Sequence, residues 1–181
     1  MEIKIIKKKE FFENLEFFKS NLGLAYNYDN LECLKEYDAT VTNETLQEKC
    51  NEVCEKVFNG FKKCFEEADY DIFLAIACGD GGICSVASFE REAGEDWYID
   101  AVTTRIGYRG RGLATKVLCA GLKELKSRCT LHVNKNNTIA FILYKKLGFV
   151  VSQDANPKNA ENQYLKNSYF MVKEYVKDLE K

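Results

Sequence analysis

The chain has 181 residues, of which 46% are hydrophobic and 30% charged, with a net charge of −2 and a pI near 5.6. That is enough apolar material for one well-packed domain, and the slight acidity excludes the broad positive field a nucleic-acid binder needs. No run reaches the roughly 18 apolar residues of a membrane helix, and the start, Met1 to Glu10, lacks a signal-peptide core, so the expected location is cytoplasmic, with no membrane partner.

Ile3–Ile6 predicts a short strand. Phe11, Phe12, Leu15, Phe18 and Leu22 recur at helical spacing and predict one helix over Lys9–Leu22. Asn27–Thr42 is mixed, a short helix and a loop. A long helix follows, capped by Asn43 or Thr45, with the stripe Leu46, Cys50, Val53, Cys54, Val57, Phe61, Cys64 and Phe65. Such a stripe packs on a sheet or forms a dimer seam.

Asp71–Cys78 and Ile83–Glu90 read as a hairpin about Gly79-Asp80-Gly81-Gly82. Trp97–Thr104 is a third strand, Arg111–Lys126 a helix, Cys129–Asn134 a strand and Thr138–Leu147 a helix. Gly148 suits the left-handed stop after it. Phe149–Gln153 begins a strand, Asp154–Gln163 is a polar loop, and Tyr164–Tyr175 reads as a final strand. This order gives an α/β fold with mixed strand directions and one parallel crossover.

The eight cysteines form no Cys-x-x-Cys, and the chain has one histidine. Buried free thiols are expected rather than a metal site.

The most informative segment is Tyr108-Arg109-Gly110-Arg111-Gly112-Leu113-Ala114, between a strand and a helix. Two glycines permit a tight turn and close backbone approach. The following helix offers unpaired N–H groups and a positive dipole end. Arg109 and Arg111 add charge at the rim. The segment is neither a dinucleotide fingerprint nor a P-loop, because Gly-x-Gly-x-x-Gly and Gly-Lys-Ser/Thr are absent. It reads as a phosphate or pyrophosphate cradle.

The pattern Arg109-x-x-Gly112-x-Ala114 resembles the acetyl-CoA signature of the GCN5-related N-acetyltransferases, the GNAT superfamily. Leu131-His132-Val133-Asn134 resembles that family's next strand, and Asn137-x-x-Ala140-x-x-Leu143-Tyr144-x-Lys146-Leu147-Gly148-Phe149 its next helix and turn. Ile99-Asp100-Ala101-Val102-x-Thr104 resembles the strand before the loop. Thr104 and Ile106 stand where the family more often has valine and proline.

The resemblance implies a mixed, mostly antiparallel sheet flanked by helices, with a splay between two central parallel strands, here Trp97–Thr104 and Cys129–Asn134. It implies a single domain over 1–181: a variable helical substrate side (1–70), an acetyl-CoA-binding core (71–152), and a C-terminal loop and strand (153–181). It implies acetyl transfer from acetyl-CoA to a primary amine by direct attack in a ternary complex, without a metal. The loop Arg109, Gly110, Arg111, Gly112, Leu113 and Ala114 would bind pyrophosphate. Val102 and Thr104 would lend backbone groups to the pantetheine arm, with Asn137 and Ala140 beside it.

Tyr144 would protonate the departing thiolate, since phenol and thiol pKa values lie close. The general base is Asp100, Glu95 or Asp96, or a water. Asp100 is read as sharing a face with Val102 and Thr104. His132 alternates with Leu131 and Val133 and is read as structural. Glu13, Glu16, Glu32 and Glu36 either favour a cationic amine or are solvated helix faces. The acceptor could be a small amine or a protein amine, and a homodimer is compatible with the family. A non-catalytic acyl-CoA sensor of the same fold is the alternative to an enzyme; a nucleic-acid binder using Arg109, Arg111 and Lys7–Lys9 is a weaker rival.

Overall fold

Alternating apolar residues in the middle of the chain build a seven-stranded sheet, in a computed structural model that describes residues 1–152 and 163–175. The strands are β1 (Glu2–Ile6), β2 (Tyr70–Gly79), β3 (Gly82–Glu92), β4 (Trp97–Thr104), β5 (Cys129–Asn134), β6 (Val150–Val151) and β7 (Ser168–Lys173), ordered β1-β2-β3-β4-β5-β7-β6. Only β4–β5 is parallel. The α/β class and the single parallel crossover expected from the sequence are both present.

The helices are α1 (Lys8–Glu13), α2 (Leu15–Ala25), α3 (Leu31–Tyr37), α4 (Leu46–Glu66), α5 (Leu113–Glu124), α6 (Thr138–Lys146) and α7 (Gln163–Lys166). Two apolar layers sandwich the sheet. Phe73, Phe89, Ile99, Leu131 and Val133 point to one face and meet Val117 and Leu118 of α5 and Tyr144 of α6. Leu74, Ile76 and Val86 point to the other and meet Phe11, Phe18, Phe58 and Phe65 of α1, α2 and α4. The α4 stripe is divided: its C-terminal phenylalanines join that core, while Cys50 and Val53 pack with Leu34 of α3. All eight cysteines are free, and burial pushes the Cys54 thiol up to about 12.

Two sequence expectations need correction. The predicted helix over Lys9–Leu22 is two helices, broken at Asn14 (φ −129°, ψ 35°), whose side chain donates to the Glu10 carbonyl at 2.9 Å. The apolar spacing runs unbroken through this kink, so periodicity cannot show it. The final predicted strand, Tyr164–Tyr175, is instead the single turn α7 followed by β7. The polar loop Asp154–Gln163 lies almost wholly outside the described residues. Among the described residues no helix is long and apolar enough to cross a membrane, and no three His, Cys, Asp or Glu side chains group as metal ligands.

Gly121 sets how closely α5 approaches the sheet: a Cβ there would overlap the Phe89 ring. Gly121→Ala should therefore lose about 1–3 kcal/mol of stability through overpacking. Gly60→Ala, in α4 with nothing within 4 Å of the added carbon, should gain about 0.5–1 kcal/mol from helix propensity. Urea denaturation of the two variants checks the opposite signs.

Candidate active site

β4 delivers the chain to the glycine-rich loop that the sequence suggests as an anion cradle. After Thr104 the Arg105 N–H donates to the Cys84 carbonyl at 2.9 Å, a 3-10 turn covers Ile106–Tyr108, and α5 starts at Leu113. Gly110 and Gly112 both take left-handed backbone, φ 74° and 71°. A Cβ at either would meet nothing within 4 Å, so their backbone borders open space. The first intrahelical bond of α5 runs from the Lys116 N–H to the Gly112 carbonyl, and no side chain caps the helix. The N–H groups of Leu113, Ala114 and Thr115 thus lack helical partners. Arg109 Nε donates to the Thr104 carbonyl at 3.2 Å, and Arg111 Nη2 to the Gly107 carbonyl at 3.0 Å while lying over the Tyr108 ring. Both arginines brace the loop and keep their charge at its rim.

Beside the cradle the sheet opens. β4 and β5 pair at Trp97↔Cys129, Tyr98↔Thr130 and Ile99↔Leu131 and then stop, although both strands run on. Alternation of backbone direction fixes what lines the gap. Ala101 and Arg105 donate towards β3, so Val102 and Thr104 present their N–H and C=O groups to the vacated edge. The Thr104 carbonyl is already used, by Arg109 Nε and by Asn27 Nδ2 at 3.3 Å. Val102 is left as the open backbone position.

Asn27 stabilises this arrangement from the other side. It is 4% exposed, sits at φ 64°, and accepts the Ile106 N–H at its Oδ1. Thr103 Oγ1 donates to the Ala25 carbonyl at 3.1 Å. The end of α2 is thereby tied to the end of β4. A polar cavity of about 320 Å³ lies between this tie and the 3-10 turn, with the Asp29–Arg105 ion pair (2.7 Å) in its wall.

Tyr144 is 7% exposed and joins the core layer that contains Leu131 and Val133, with Val102 and Ala140 packed on it. Its position follows from the helix end. The Gly148 N–H bonds the Lys145 carbonyl and the Phe149 N–H the Tyr144 carbonyl, with Gly148 at φ 88°. This is the doubly bonded glycine stop, and it sets Phe149 edge-on to the Tyr144 ring at 6.0 Å. Asn137 caps α6: its Oδ1 accepts the Ala140 N–H at 3.1 Å.

The face of Asp100 is the main correction to the sequence reading. Ala87 pairs with Val102 and Phe89 with Ile99, so Asp100 and Ala101 together oppose Ser88. Ser88 Oγ accepts the Ala101 N–H at 3.0 Å. The extra residue is a β-bulge, and a one-residue slip reverses the alternation of side chains. Val102 therefore packs on the α5–α6 side, while Asp100 faces the α2–α4 side, where its charge acts on Tyr26, Tyr70 and Cys64. Asp100 is exposed, and the protein packed around it pushes its pKa up.

The other acids fall elsewhere. Asp96 is held by Arg128 at 3.2 Å, and Glu95 lies in the exposed turn before β4; both sit at the end of β4 remote from the cradle. Glu13 and Glu32 pair with Lys9 and Lys35 on outer helix faces, and Glu16 and Glu36 are exposed. His132 lies with Nδ1 3.2 Å from the Tyr98 hydroxyl and its ring against Phe170. Glu90, not singled out from the sequence, is half-buried on the same face as Asp100 and accepts a hydrogen bond from Tyr70. It opens the polar end Glu90-Arg91-Glu92 of β3, so nothing in the sequence pattern marks it.

Known proteins share this architecture. An acetyltransferase from Thermus thermophilus superposes with a TM-score of 0.58 at 15% identity, covering 96% of this chain and 97% of its own. An aminoglycoside 6'-acetyltransferase type Ii gives 0.60 at 14% identity, over 98% and 99%. The PaiA N-acetyltransferase of Thermoplasma acidophilum, solved in complex with coenzyme A, gives 0.52 at 17% identity, over 97% and 100%. At these identities the likeness is one of fold. No curated protein matches the chain in sequence. The sequence model of the GNAT acetyltransferase family matches residues 34–149, from α3 to the turn after α6. The chain belongs to the GNAT family of acetyltransferases.

Proposed function

We propose that this protein transfers an acetyl group from acetyl-CoA to a primary amine by direct attack in a ternary complex. The observation that carries the reading is the junction of two features on β4: an open anion cradle at its end and a vacated backbone edge at Val102 just before it. The cradle's unpaired N–H groups and two arginines suit a pyrophosphate. Val102 suits a ligand with amide groups lying in the gap as an added strand would. Its N–H is the group assigned to polarise the thioester carbonyl.

In this reading Tyr144 gives its proton to the departing thiolate and Asp100 takes one from the incoming ammonium, directly or through a water. The raised pKa of Asp100 suits a base, because proton transfer is most effective when the base's pKa is near the working pH.

Calorimetric titration tests the reading first, because free thiols would confuse a thiol-release assay. Acetyl-CoA should bind in the micromolar range, and acetyl-pantetheine, which lacks the pyrophosphate, roughly a hundredfold more weakly, as expected for several charge-assisted hydrogen bonds. Equal affinities would remove the cradle from the argument. Tyr144→Phe should keep acetyl-CoA binding and lower kcat by roughly a hundredfold or more, read by mass spectrometry of acetylated amine. An unchanged rate would exclude the general-acid role.

Asp100 gives a separate signature. Its folded-state pKa is raised, so the native state holds its proton more tightly than the unfolded chain and stability falls as pH rises through that interval. Asp100→Asn should melt at a higher temperature than wild type at neutral pH, with the gain disappearing below about pH 4. The same variant should lose the acid limb of the kcat/KM profile.

A further inference from the structure

A short piece of chain joins the two halves of the proposed cosubstrate site. The vacated edge of β4 ends at Thr104, the glycine-rich loop begins at Arg109, and only residues 105–108 lie between. A single ligand that fills both halves gains when they are held at a fixed separation, because its second group then binds without a further search. Whatever fixes this connection therefore governs binding without touching the ligand.

The loop between α2 and α3 reaches three consecutive positions of it. Asn27 Nδ2 donates to the Thr104 carbonyl at 3.3 Å, and the Ile106 N–H donates to Asn27 Oδ1 at 2.6 Å. Between these, Arg105 Nη2 donates to Asp29 Oδ2 at 2.7 Å. The polar cavity of about 320 Å³ separates the rest of this loop from the 3-10 turn. On this side the turn is thus held by polar contacts and not by packed side chains. Its far end is anchored separately, where Tyr108 packs on the α5–α6 core layer. Asn27 is 4% exposed and, among the described residues, is the only residue besides glycine with a left-handed backbone, φ 64°. Such a conformation persists only where the surroundings enforce it, and it gathers at functional sites.

We infer that Asn27 is a positioning residue that holds the open edge at Val102 and the anion cradle in one relative arrangement, so that a single acetyl-CoA fills both; this rests on the acetyltransferase reading above. Both ends of its carboxamide are bound to the connection, so Asn27 acts through Thr104 and Ile106 and not on the ligand. Its effect is confined to ligands that use both halves. A ligand that uses the edge alone is indifferent to where the cradle sits, because β4 is still held by β3 and by the bond from Thr103 Oγ1 to the Ala25 carbonyl.

Calorimetry on Asn27→Gly tests this, because glycine takes a positive φ without strain and the variant loses only the carboxamide. Acetyl-CoA should bind it roughly tenfold more weakly than wild type, the fold-change that the loss of about one net hydrogen bond gives. Acetyl-pantetheine, which lacks the pyrophosphate, should bind within about twofold of its wild-type affinity. A merely structural role would weaken both ligands alike, and that result overturns the inference. An unchanged acetyl-CoA affinity overturns it as well. With wild type binding acetyl-CoA normally, either adverse result removes this inference and leaves the proposed function standing. Failure of wild type to bind acetyl-CoA removes the proposed function, and this inference with it. If Asn27→Gly does not fold, Asp29→Ala takes its place, since Asp29 is exposed and the variant loses only the ion pair to Arg105. Acetyl-CoA should then weaken by about two- to fivefold with acetyl-pantetheine unchanged, and equal or absent effects on the two ligands overturn the inference.

Discussion

Two neighbouring strands that pair for three residues and then part govern this molecule's functional face. A parallel pair normally continues as long as both strands last, because each unmade ladder bond leaves backbone polar groups without a partner. β4 and β5 stop at Ile99 and Leu131 although β4 runs to Thr104 and β5 to Asn134. Each strand is held by its other neighbour, β4 by β3 and β5 by β7. The end of α2 adds a second restraint on β4, through the Ala25 carbonyl and the Asn27 side chain. Asn27 holds an uncommon left-handed conformation, a cost of about 1–2 kcal/mol for a residue with a side chain. Asparagine tolerates it better than most, and three features of the next segment depend on it: the Thr104 carbonyl, the Ile106 N–H and the direction of the 3-10 turn.

The cradle is built by the same logic. Gly110 and Gly112 are needed for their φ values rather than for space, since nothing crowds a Cβ at either position. Gly121 and Gly23 are the reverse case: both are helical, and both are required because a neighbouring element, Phe89 or Cys54, occupies the place of the side chain. The first pair shapes the loop before α5 and the second sets packing distances. A glycine count does not separate the two roles; the backbone angle and the nearest atoms do.

The sequence is most legible where one physical signal dominates. β4 and β5 match their predicted bounds to the residue, because alternating apolar side chains stop sharply at polar ones. The glycine stop of α6 is readable because Gly148 follows directly on a helical pattern. The kink at Asn14 is not, because Phe11, Leu15 and Phe18 keep their spacing through it. The splay comes only from the family resemblance, since ending a ladder early leaves no mark in either strand's own pattern. Asp100 stands out in the sequence as a candidate but on the wrong face, because a bulge changes the alternation without changing composition. Glu90 escapes the sequence for a related reason: only the strand register brings Glu90 and Asp100 to one side.

That bulge has a consequence for how the sheet divides its work. The cradle's helix α5, together with α6 and Tyr144, lies on one face. Tyr26, Tyr70, Glu90 and Asp100 lie on the other. Two ligands approaching from opposite faces can meet only where the sheet is open, and the opening begins just past Ile99, at the bulge. With regular alternation continued from Ile99, Val102 would share the α2–α4 face with Asp100 and leave the α5–α6 core. One inserted residue therefore returns Val102 to the core layer while Asp100 stays on the α2–α4 side. Regular strand alternation is broken at this point, and such exceptions are expected to gather where a protein does its chemistry.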